Sequence, residues 1–362
     1  MFHRLSNQST MSSEVNEVGE LQSPALGVFR KFGEDFPGYV VSGRVLDLRS
    51  VFDSITSIDD IFDAWDERLD YLEKLSFSDG HWVDLDSLDI LPPVSSSASL
   101  IAAGANYREH ILQITVAHKI GNQSGAGTEV DVDELRRAAE IETDLRGRQG
   151  DPYVWVGLPS AISGPYDAIQ LPVVGKDVDW ELELGVVIRK TAYQIPIEEA
   201  MDYVAGYMIV NDLTTRSLVP RSDIPMMGTD WFRSKNHPTF FPCGPFLVPK
   251  RYAADPSQMQ IRLALNGDVK QSAAASGMLF DIPKLIAYAS SLAILRPGDI
   301  LITGSPEGNG SHWGRFLRVN DTLESAISGL GIQRNVVVQP THPNLGWRAT
   351  SVTKSHLDGG EN

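Results

Sequence analysis

Short apolar runs separated by glycine, proline and polar residues dominate the chain from Leu100 onward. Runs of this kind are typical of β-strands bounded by turns. Only two stretches of this region have a clear helical pattern: residues 196–204, which begin with proline, and residues 281–295. The pattern therefore predicts a β-rich α+β fold, built as a roll, sandwich or barrel with few helices.

The first 95 residues show a different pattern. Residues 27–48 contain short alternating runs broken by Gly and Pro, which predict two or three strands. From Ser57, the expected helix N-cap, apolar residues recur at helical spacing: Ile61, Phe62, Trp65, Leu69, Leu72 and Leu75. We therefore expect residues 25–95 to form a small N-terminal α+β domain, followed by a catalytic domain over residues 96–340.

Both ends of the chain and one internal segment lack these patterns. Residues 1–24 are polar and aperiodic, and residues 341–362 are rich in Pro, Gly and polar side chains. Both are expected to be flexible tails, with a transit peptide as a minor alternative for the first 13 residues. Residues 111–150 combine a Gly-rich loop with a polar helix pattern. We interpret this segment as a candidate lid over a site.

Composition and charge narrow the class of protein. The 362 residues are 42% hydrophobic and 22% charged, as in an ordinary globular protein. A formal net charge of −16 without a basic run argues against nucleic acid and anionic membranes as partners. The single cysteine, Cys243, excludes an intrachain disulfide, and no apolar stretch has the length of a membrane span or a secretory signal. We expect a cytoplasmic protein that acts on a small molecule.

Two acids stand in one apolar run, DWELELGVVIRK, at residues 179–190. In a strand, Glu181 and Glu183 project to one face, while Leu182 and Leu184 project to the other. Two carboxylates about 6 to 7 Å apart repel each other if both are buried and charged, and a divalent cation would remove that repulsion. The alternative is an antiparallel strand with one solvated, acidic face.

A third acid favours the metal interpretation. Asp212 lies where the next apolar run, VAGYMIVND, gives way to a polar loop. Hard cations such as Mg²⁺, Mn²⁺ and Ca²⁺ prefer oxygen ligands, and Mg²⁺ usually keeps water or substrate oxygens in its other positions. Glu181, Glu183 and Asp212 therefore predict a catalytic rather than a closed structural metal site.

These segments resemble the fumarylacetoacetate hydrolase family, a group of metal-dependent enzymes that act on short oxo acids. The resemblance covers residues 96–338, and its matching blocks include GANYREH (104–110), DWELELGVVIRK (179–190), AMDYVAGYMIVNDLTTRS (200–217), RSKN (233–236) and LRPGDILITGSPEGNG (295–310). It implies a mixed β-roll or β-sandwich catalytic domain, usually as a homodimer. It also implies that Glu181, Glu183 and Asp212 bind Mg²⁺, with Mn²⁺ or Ca²⁺ as alternatives.

The resemblance implies roles for side chains around the metal. Lys235 aligns with an active-site lysine that can stabilise an oxyanion or enolate, and His110 aligns with the histidine that acts as general base for water. Read alone, Lys235 would be an ordinary surface lysine and His110 a structural residue. Arg216 could bind a substrate carboxylate through its planar fork, with a structural ion pair as an equal alternative. Further substrate contacts are expected from Tyr107, Thr303 and Ser305.

The chain departs from the family pattern at two positions. The family often carries His-x-x-Glu, but here Gln113 stands where the acid would be, and a glutamine cannot take up charge. Either water activation is not the chemistry, or the partner of His110 comes from elsewhere, with three candidates: Glu109, Glu140 and Glu142. Gly157 stands where the family tends to have a lysine, so one substrate contact is expected to be lost.

The leading expectation is a divalent-metal-dependent hydrolase that cleaves a C–C bond in a β-diketone or acylpyruvate-type oxo acid through a metal-bound enolate. The same site would serve a 2-oxo acid decarboxylase, a tautomerase, or a hydratase or dehydratase. Gln113 in place of the acid favours these reactions somewhat, but hydrolysis remains the leading expectation. An alternative from another class is a protein that binds metal and acid without turnover.

Overall fold

A computed structural model describes the backbone of residues 12–123 and 131–340, and the side chains of residues 12–117 and 131–340. Part of the Gly-rich loop of the candidate lid, the first eleven residues and the expected tail over 341–362 lie outside the described residues.

The helices are α1 (Ser13–Gly19), α2 (Trp65–Leu72), α3 (Arg108–Gln123), α4 (Val132–Gln149), α5 (Trp231–Lys235), α6 (Ile282–Leu292) and α7 (Gly310–Trp313). The strands are β1 (Ala25–Lys31), β2 (Glu34–Val41), β3 (Arg44–Asp47), β4 (Trp82–Asp84), β5 (Asp89–Leu91), β6 (Leu100–Gly104), β7 (Tyr153–Gly157), β8 (Ile162–Ser163), β9 (Ile169–Gln170), β10 (Val178–Asp179), β11 (Leu182–Ile188), β12 (Val204–Asn211), β13 (Thr214–Thr215), β14 (Phe241–Pro242), β15 (Val248–Pro249), β16 (Gln260–Leu265), β17 (Asp268–Ala274), β18 (Ile300–Ile302), β19 (Thr322–Ile327) and β20 (Ile332–Val338).

A six-stranded mixed sheet with the order β15-β12-β11-β18-β6-β7 forms the centre of the molecule. Its neighbours are antiparallel except for β18 and β6, which run parallel. Every residue of β11 and β12 is buried, because hydrophobic clusters cover both faces of the sheet. A strand with two covered faces explains why β11 is a nearly continuous apolar run.

A second mixed sheet, with the order β17-β16-β19-β20-β9, packs against one face of the central sheet. Leu263 and Leu323 of this sheet share a core with Leu184 of β11 and Leu285 of α6. These mixed sheets, with helices at their margins, confirm the predicted β-rich α+β fold.

The N-terminal sheet, with the order β4-β3-β2-β1-β5, is antiparallel throughout. Leu26 of this sheet and Leu247 exchange backbone hydrogen bonds of 2.8 and 2.9 Å. Leu26 also packs in one cluster with Met208 and Val210 of the central sheet. The N-terminal sheet therefore covers the second face of the central sheet.

Two local expectations need correction, and a third is confirmed. The helix expected from Ser57 is a 3₁₀-helix over Asp59–Ala64 followed by α2, and Asp60, not Ser57, accepts backbone N–H groups at its start. The segment 196–204 is a 3₁₀-helix over Ile197–Tyr203, because Val204 already pairs in β12. The segment 281–295 forms α6, whose first turn is capped by the Asp281 carboxylate at 2.9 Å from the Lys284 N–H.

Part of the segment expected as an N-terminal tail forms helix α1. Helix α1 buries Val15 against Ala264 and Ala326 of the second sheet, and Glu14 forms an ion pair with Arg262. Seven residues with few apolar positions are too short to produce a periodic signal, so the sequence pattern did not predict this helix. Within residues 12–123 and 131–340, none of the helices combines the length and the apolar character that a membrane crossing requires.

Candidate active site

Three buried carboxylates converge where β11 and β12 lie side by side. Glu183 is the second residue of β11, Glu181 directly precedes this strand, and Asp212 directly follows β12. The backbone N–H of Asp212 donates to the Glu181 carbonyl at 2.8 Å, which holds the two segments in register. Each of the three side chains offers an oxygen within 4.8 Å of the others. Their exposed fractions are only 7%, 2% and 2%, which excludes a solvated acidic face.

Two cationic side chains hold Glu181 in place. The Lys235 ammonium donates to Glu181 Oε2 and to Asp212 Oδ2, both at 2.5 Å. The Arg216 guanidinium donates to Glu181 Oε1 at 2.5 Å and to the fully buried Asp179 at 2.7 Å. Burial alone would raise the pKa of Glu181, but the charges of Lys235 and Arg216 lower it to about 2. Glu181 is therefore ionised and firmly positioned.

Glu183 and Asp212 are less well compensated. Burial, together with the charges of Asp212 and Glu181, raises the pKa of Glu183 well above its ordinary value. Glu183 Oε2 accepts the backbone N–H of Gly304 at 2.7 Å. Burial also raises the pKa of Asp212, to about 7, and its Oδ1 atom has no hydrogen-bond partner among the described residues. Their surroundings therefore oppose full ionisation of these two carboxyl groups, and a further cation would favour it.

The charge balance and the donor set fit a divalent cation. If Asp179 and the three clustered acids are all ionised, the two cations Lys235 and Arg216 balance only two of these four buried charges. Carboxylate oxygens are the ligands that Mg²⁺, Mn²⁺ and Ca²⁺ prefer. A divalent cation would balance these charges and could be coordinated by the unpaired Oδ1 atom of Asp212.

The lysine comes from α5, a short helix. Asp230 caps this helix by accepting the backbone N–H of Arg233 at 3.1 Å, and Lys235 is its last residue. Only 2% of Lys235 is exposed. Burial opposes its charge, but Asp212 and Glu181 outweigh that effect and raise the pKa of Lys235. The structure therefore places a permanent cation within the acid cluster.

The predicted histidine lies beside the same cluster. His110 is the third residue of α3, and the loop before this helix is fixed by Asn106, which hydrogen-bonds the Thr303 and Phe280 carbonyls at 2.8 and 3.0 Å. Burial lowers the pKa of His110 to about 4, against the opposing charge of Glu181. The imidazole is therefore neutral at pH 7 and can accept a proton.

The acids whose charges act on His110 are not the ones that the sequence suggested as its partner. Glu109 and Glu140 both pair with Arg136, at 2.9 and 3.3 Å. The negative charges that act on His110 come instead from Glu181 and Asp179. The acids that favour a charged imidazole therefore belong to the acid cluster and not to α3, and burial, Arg216 and Lys235 oppose them.

The four predicted substrate-contact residues differ in whether their polar groups already bond to other residues of the protein. The hydroxyls of Tyr107 and Thr303 are buried, and neither makes a hydrogen bond of good geometry with another described residue, so both can contact a ligand. Ser305 already accepts a hydrogen bond from Gln271 at 3.0 Å. The guanidinium of Arg216 is engaged by two acids, which favours the ion-pair alternative for this residue.

Three residues of the site were not predicted from the sequence. Asp179 anchors Arg216 and accepts backbone N–H groups at the start of α7, and Asn309 lies 3.4 Å from Glu181 Oε1. Asp179 lies two residues before Glu181, so extending the period-two pattern by one step would have found it. No local signal indicates Asn309 or the indole of Trp231, which faces Lys235.

Comparison with known proteins identifies the relatives of this chain. The profile of the fumarylacetoacetate (FAA) hydrolase C-terminal domain matches residues 99–338. A 2,4-didehydro-3-deoxy-L-rhamnonate hydrolase from a Sphingomonas species is 29% identical over 87% of this chain and 96% of its own length. A mitochondrial oxaloacetate tautomerase from Xenopus laevis is 29% identical over 82% of this chain and 83% of its own length.

The fold comparison agrees with the sequence comparison. A maleylpyruvate hydrolase from a Sphingobium species, solved with manganese(II) ion and pyruvate, superposes with a TM-score of 0.66. The two sequences are 25% identical, and the match covers 87% of this chain and 99% of the other. The family thus contains enzymes named as hydrolases and as a tautomerase. The match over residues 99–338 confirms the resemblance, and the chain belongs to the fumarylacetoacetate hydrolase family.

Proposed function

We propose that the protein is a divalent-cation-dependent hydrolase that cleaves a carbon–carbon bond in a β-diketone or acylpyruvate-type oxo acid. One observation carries this proposal: Glu181, Glu183 and Asp212 form a buried cluster that contains the Lys235 ammonium and lies beside the neutral imidazole of His110. The relative solved with manganese(II) and pyruvate supports an oxo acid as ligand. The proposed cation is Mg²⁺, with Mn²⁺ or Ca²⁺ as alternatives.

Each side chain has a distinct task in this reaction. A cation held by the three carboxylates would bind the 2-oxo acid end of the substrate and polarise its carbonyl group. Lys235 provides a fixed positive charge beside the oxygen that becomes negative as the C–C bond breaks. His110 accepts a proton from the attacking water, and the charges of Glu181 and Asp179 offset part of the cost that burial imposes on the imidazolium.

Gln113 favours a second candidate, keto–enol tautomerisation of a 2-oxo acid. Its Oε1 atom is buried without a hydrogen-bond partner among the described residues, and it provides no charge to strengthen His110 as a base. Moving a proton between carbon and oxygen of a polarised oxo acid demands less of a base than activating water. The Xenopus laevis relative is named as an oxaloacetate tautomerase. Loss of the enol absorbance of oxaloacetate, without release of a cleavage product, would favour this candidate.

An activity screen with and without a chelator tests the proposed function. Acylpyruvates, oxaloacetate and 2-oxo-3-deoxy acids should be offered with Mg²⁺ or Mn²⁺, before and after EDTA treatment. We expect turnover that EDTA abolishes and added cation restores. At a free cation concentration of about 100 times its Kd, the cation should also stabilise the fold by about 2.7 kcal/mol. Turnover that persists in EDTA would contradict the proposal.

Replacing His110 should remove the general base. For His110→Asn we expect the rate of hydrolysis to fall about 100- to 10,000-fold. Because the pKa of His110 is lowered to about 4, the base form persists well below the ordinary histidine pKa of about 6.5. The acid limb of kcat/KM should therefore lie near pH 4 in the wild type and be absent in the variant.

The measurement is the pH profile of both proteins between pH 3.5 and 8, with His81→Asn as a control at an exposed histidine of the N-terminal part. Full hydrolysis by His110→Asn, or an acid limb near pH 4 that this variant retains, would exclude His110 as the base.

A further inference from the structure

Four aromatic side chains form a continuous set beside the acid cluster, here called the aromatic shelf: Tyr153, Trp155, Trp231 and Phe241. The rings of Trp155 and Trp231 are 6.2 Å apart and stack at an angle of 23°. Tyr153 lies 6.4 Å from Trp231 on one side, and Phe241 lies 6.1 Å from Trp155 on the other. The indole N–H of Trp231 donates to the Tyr153 hydroxyl. These contacts keep the two indoles in one orientation.

Local structure brings the shelf to Lys235. Alternation along β7 directs Tyr153 and Trp155 to the same face of the strand. Trp231 lies four residues before Lys235 on α5, so both side chains share one side of that helix. The Lys235 ammonium is 5.4 Å from the Trp155 ring centre and 5.7 Å from that of Trp231. The shelf therefore begins at the cation that pairs with two of the clustered acids.

The shelf is accessible to a ligand. Tyr153 is 45% exposed, and Trp155 and Trp231 are partly exposed. By contrast, only 2% of Lys235 is exposed, so the rings separate the ammonium from solvent. The shelf thus adjoins the acid cluster through Lys235, which contacts both indoles and two of the acids. Aromatic faces of this kind bind planar and apolar groups by stacking.

Strand β7 contributes no positive charge to the shelf. Strand β7 has the sequence YVWVG, without a charged residue. A side chain is excluded at Gly157, because a Cβ atom there would lie 2.8 Å from Phe241 Cε2. A carboxylate placed over the shelf would therefore lose its hydration without gaining an ion pair from β7.

We propose that the aromatic shelf binds the part of the substrate remote from its oxo acid end, and that this part is a planar, apolar acyl group such as an aryl group. This inference rests on the proposed function, because the oxo acid end is taken to bind at Glu181, Glu183 and Asp212. It makes Trp155 and Trp231 specificity-determining residues, and a dicarboxylic acid whose second carboxylate reached the shelf would be a poor ligand.

The test compares three acids that share a 2-oxo acid end and lack the bond that hydrolysis would cleave: 4-phenyl-2-oxobutanoate, 2-oxobutanoate and 2-oxoglutarate. Their affinities are measured by calorimetry with saturating Mg²⁺. We expect the phenyl compound to bind about ten-fold more tightly than 2-oxobutanoate, and 2-oxoglutarate to bind more weakly than both. Trp231→Ala should abolish the preference for the phenyl compound, and Trp231→Phe should retain part of it.

Phe232→Ala is the matched control, because Phe232 is the next residue on α5, is 70% exposed and lies outside the shelf. This variant should keep the preference. Equal loss of affinity for all three acids in Trp231→Ala would show that the indole only supports Lys235, and would overturn the inference. If 2-oxobutanoate binds and the phenyl compound binds no more tightly, the proposed role of the shelf is wrong but the proposed metal site stands. If the preference for the phenyl compound persists in EDTA, the proposed metal site is wrong but the role of the shelf stands. Failure of all three acids to bind would overturn both.

Discussion

Replacing Glu183 with glutamine should abolish activity and raise the melting temperature of the metal-free protein. Glu183 is buried, its pKa is raised by burial and by the neighbouring acids, and no cation forms a salt bridge with it among the described residues. Its charge therefore destabilises the fold unless a metal ion is bound. Glutamine keeps the shape of the side chain and removes the charge. Activity should fall at least 1,000-fold, on the order expected for loss of a metal ligand.

The effect on stability should depend on pH. The folded-state pKa of Glu183 lies above the ordinary glutamate value of about 4.3. Above that value the unfolded chain releases the proton that the folded protein retains, so the metal-free wild type loses stability as pH rises. The advantage of Glu183→Gln should accordingly be small near pH 4 and larger at pH 7. Thermal unfolding in EDTA at both pH values measures it.

Glu181→Gln is the matched comparison, because it removes an equivalent carboxylate from the same cluster. Glu181 pairs with Lys235 and Arg216, and its pKa is lowered to about 2. Its loss should cost about 3 kcal/mol of stability, since two buried cations each lose a partner. Both variants should be inactive, but their melting temperatures in EDTA should shift in opposite directions. Shifts in the same direction would contradict the proposed charge distribution.

Replacing Lys235 with methionine should lower kcat about 100- to 1,000-fold, because the reaction loses a buried positive charge that faces the developing oxyanion. The variant should bind Mg²⁺ at least as tightly as the wild type, since the ammonium lies 2.5 Å from oxygens of Glu181 and Asp212 and opposes a second cation there. Steady-state kinetics and calorimetric titration with Mg²⁺ separate the two effects.

Lys74→Met, at an exposed lysine of the N-terminal part, controls for the loss of one surface charge. A Lys235→Met variant that keeps kcat within about ten-fold of the wild type would exclude the proposed role in catalysis. A variant that no longer binds Mg²⁺ would instead make Lys235 a structural support of the site.

The cluster of three acids could be predicted from sequence because its signal is local. Glu181 and Glu183 interrupt an apolar run at a spacing of two, and Asp212 ends the apolar run that becomes the neighbouring strand. The adjacent pairing of β11 and β12 then brings the three acids together. For Arg216 the sequence left open a contact to a substrate carboxylate or a structural ion pair. Its two ion pairs in the structure, with Asp179 and Glu181, favour the structural role.

Other parts of the site depend on contacts between distant segments. Tyr153 and Trp231 are 78 residues apart in the chain, and neither position has a pattern that indicates a shared surface. The neighbours of His110 are likewise set by tertiary structure, because the acids that act on it come from the loop and strand around Asp179 and Glu181 rather than from α3. Periodicity records which side of an element is buried, but not which other element covers it.

A titration with Mn²⁺ tests the central claim most directly. The metal-free wild type and Glu183→Gln are each titrated, and bound Mn²⁺ is followed by electron paramagnetic resonance. We expect one Mn²⁺ per chain in the wild type, displaced by excess Mg²⁺, and binding at least 100-fold weaker in the variant. Equal Mn²⁺ binding by the two proteins, or none by the wild type, would contradict a metal site at Glu181, Glu183 and Asp212.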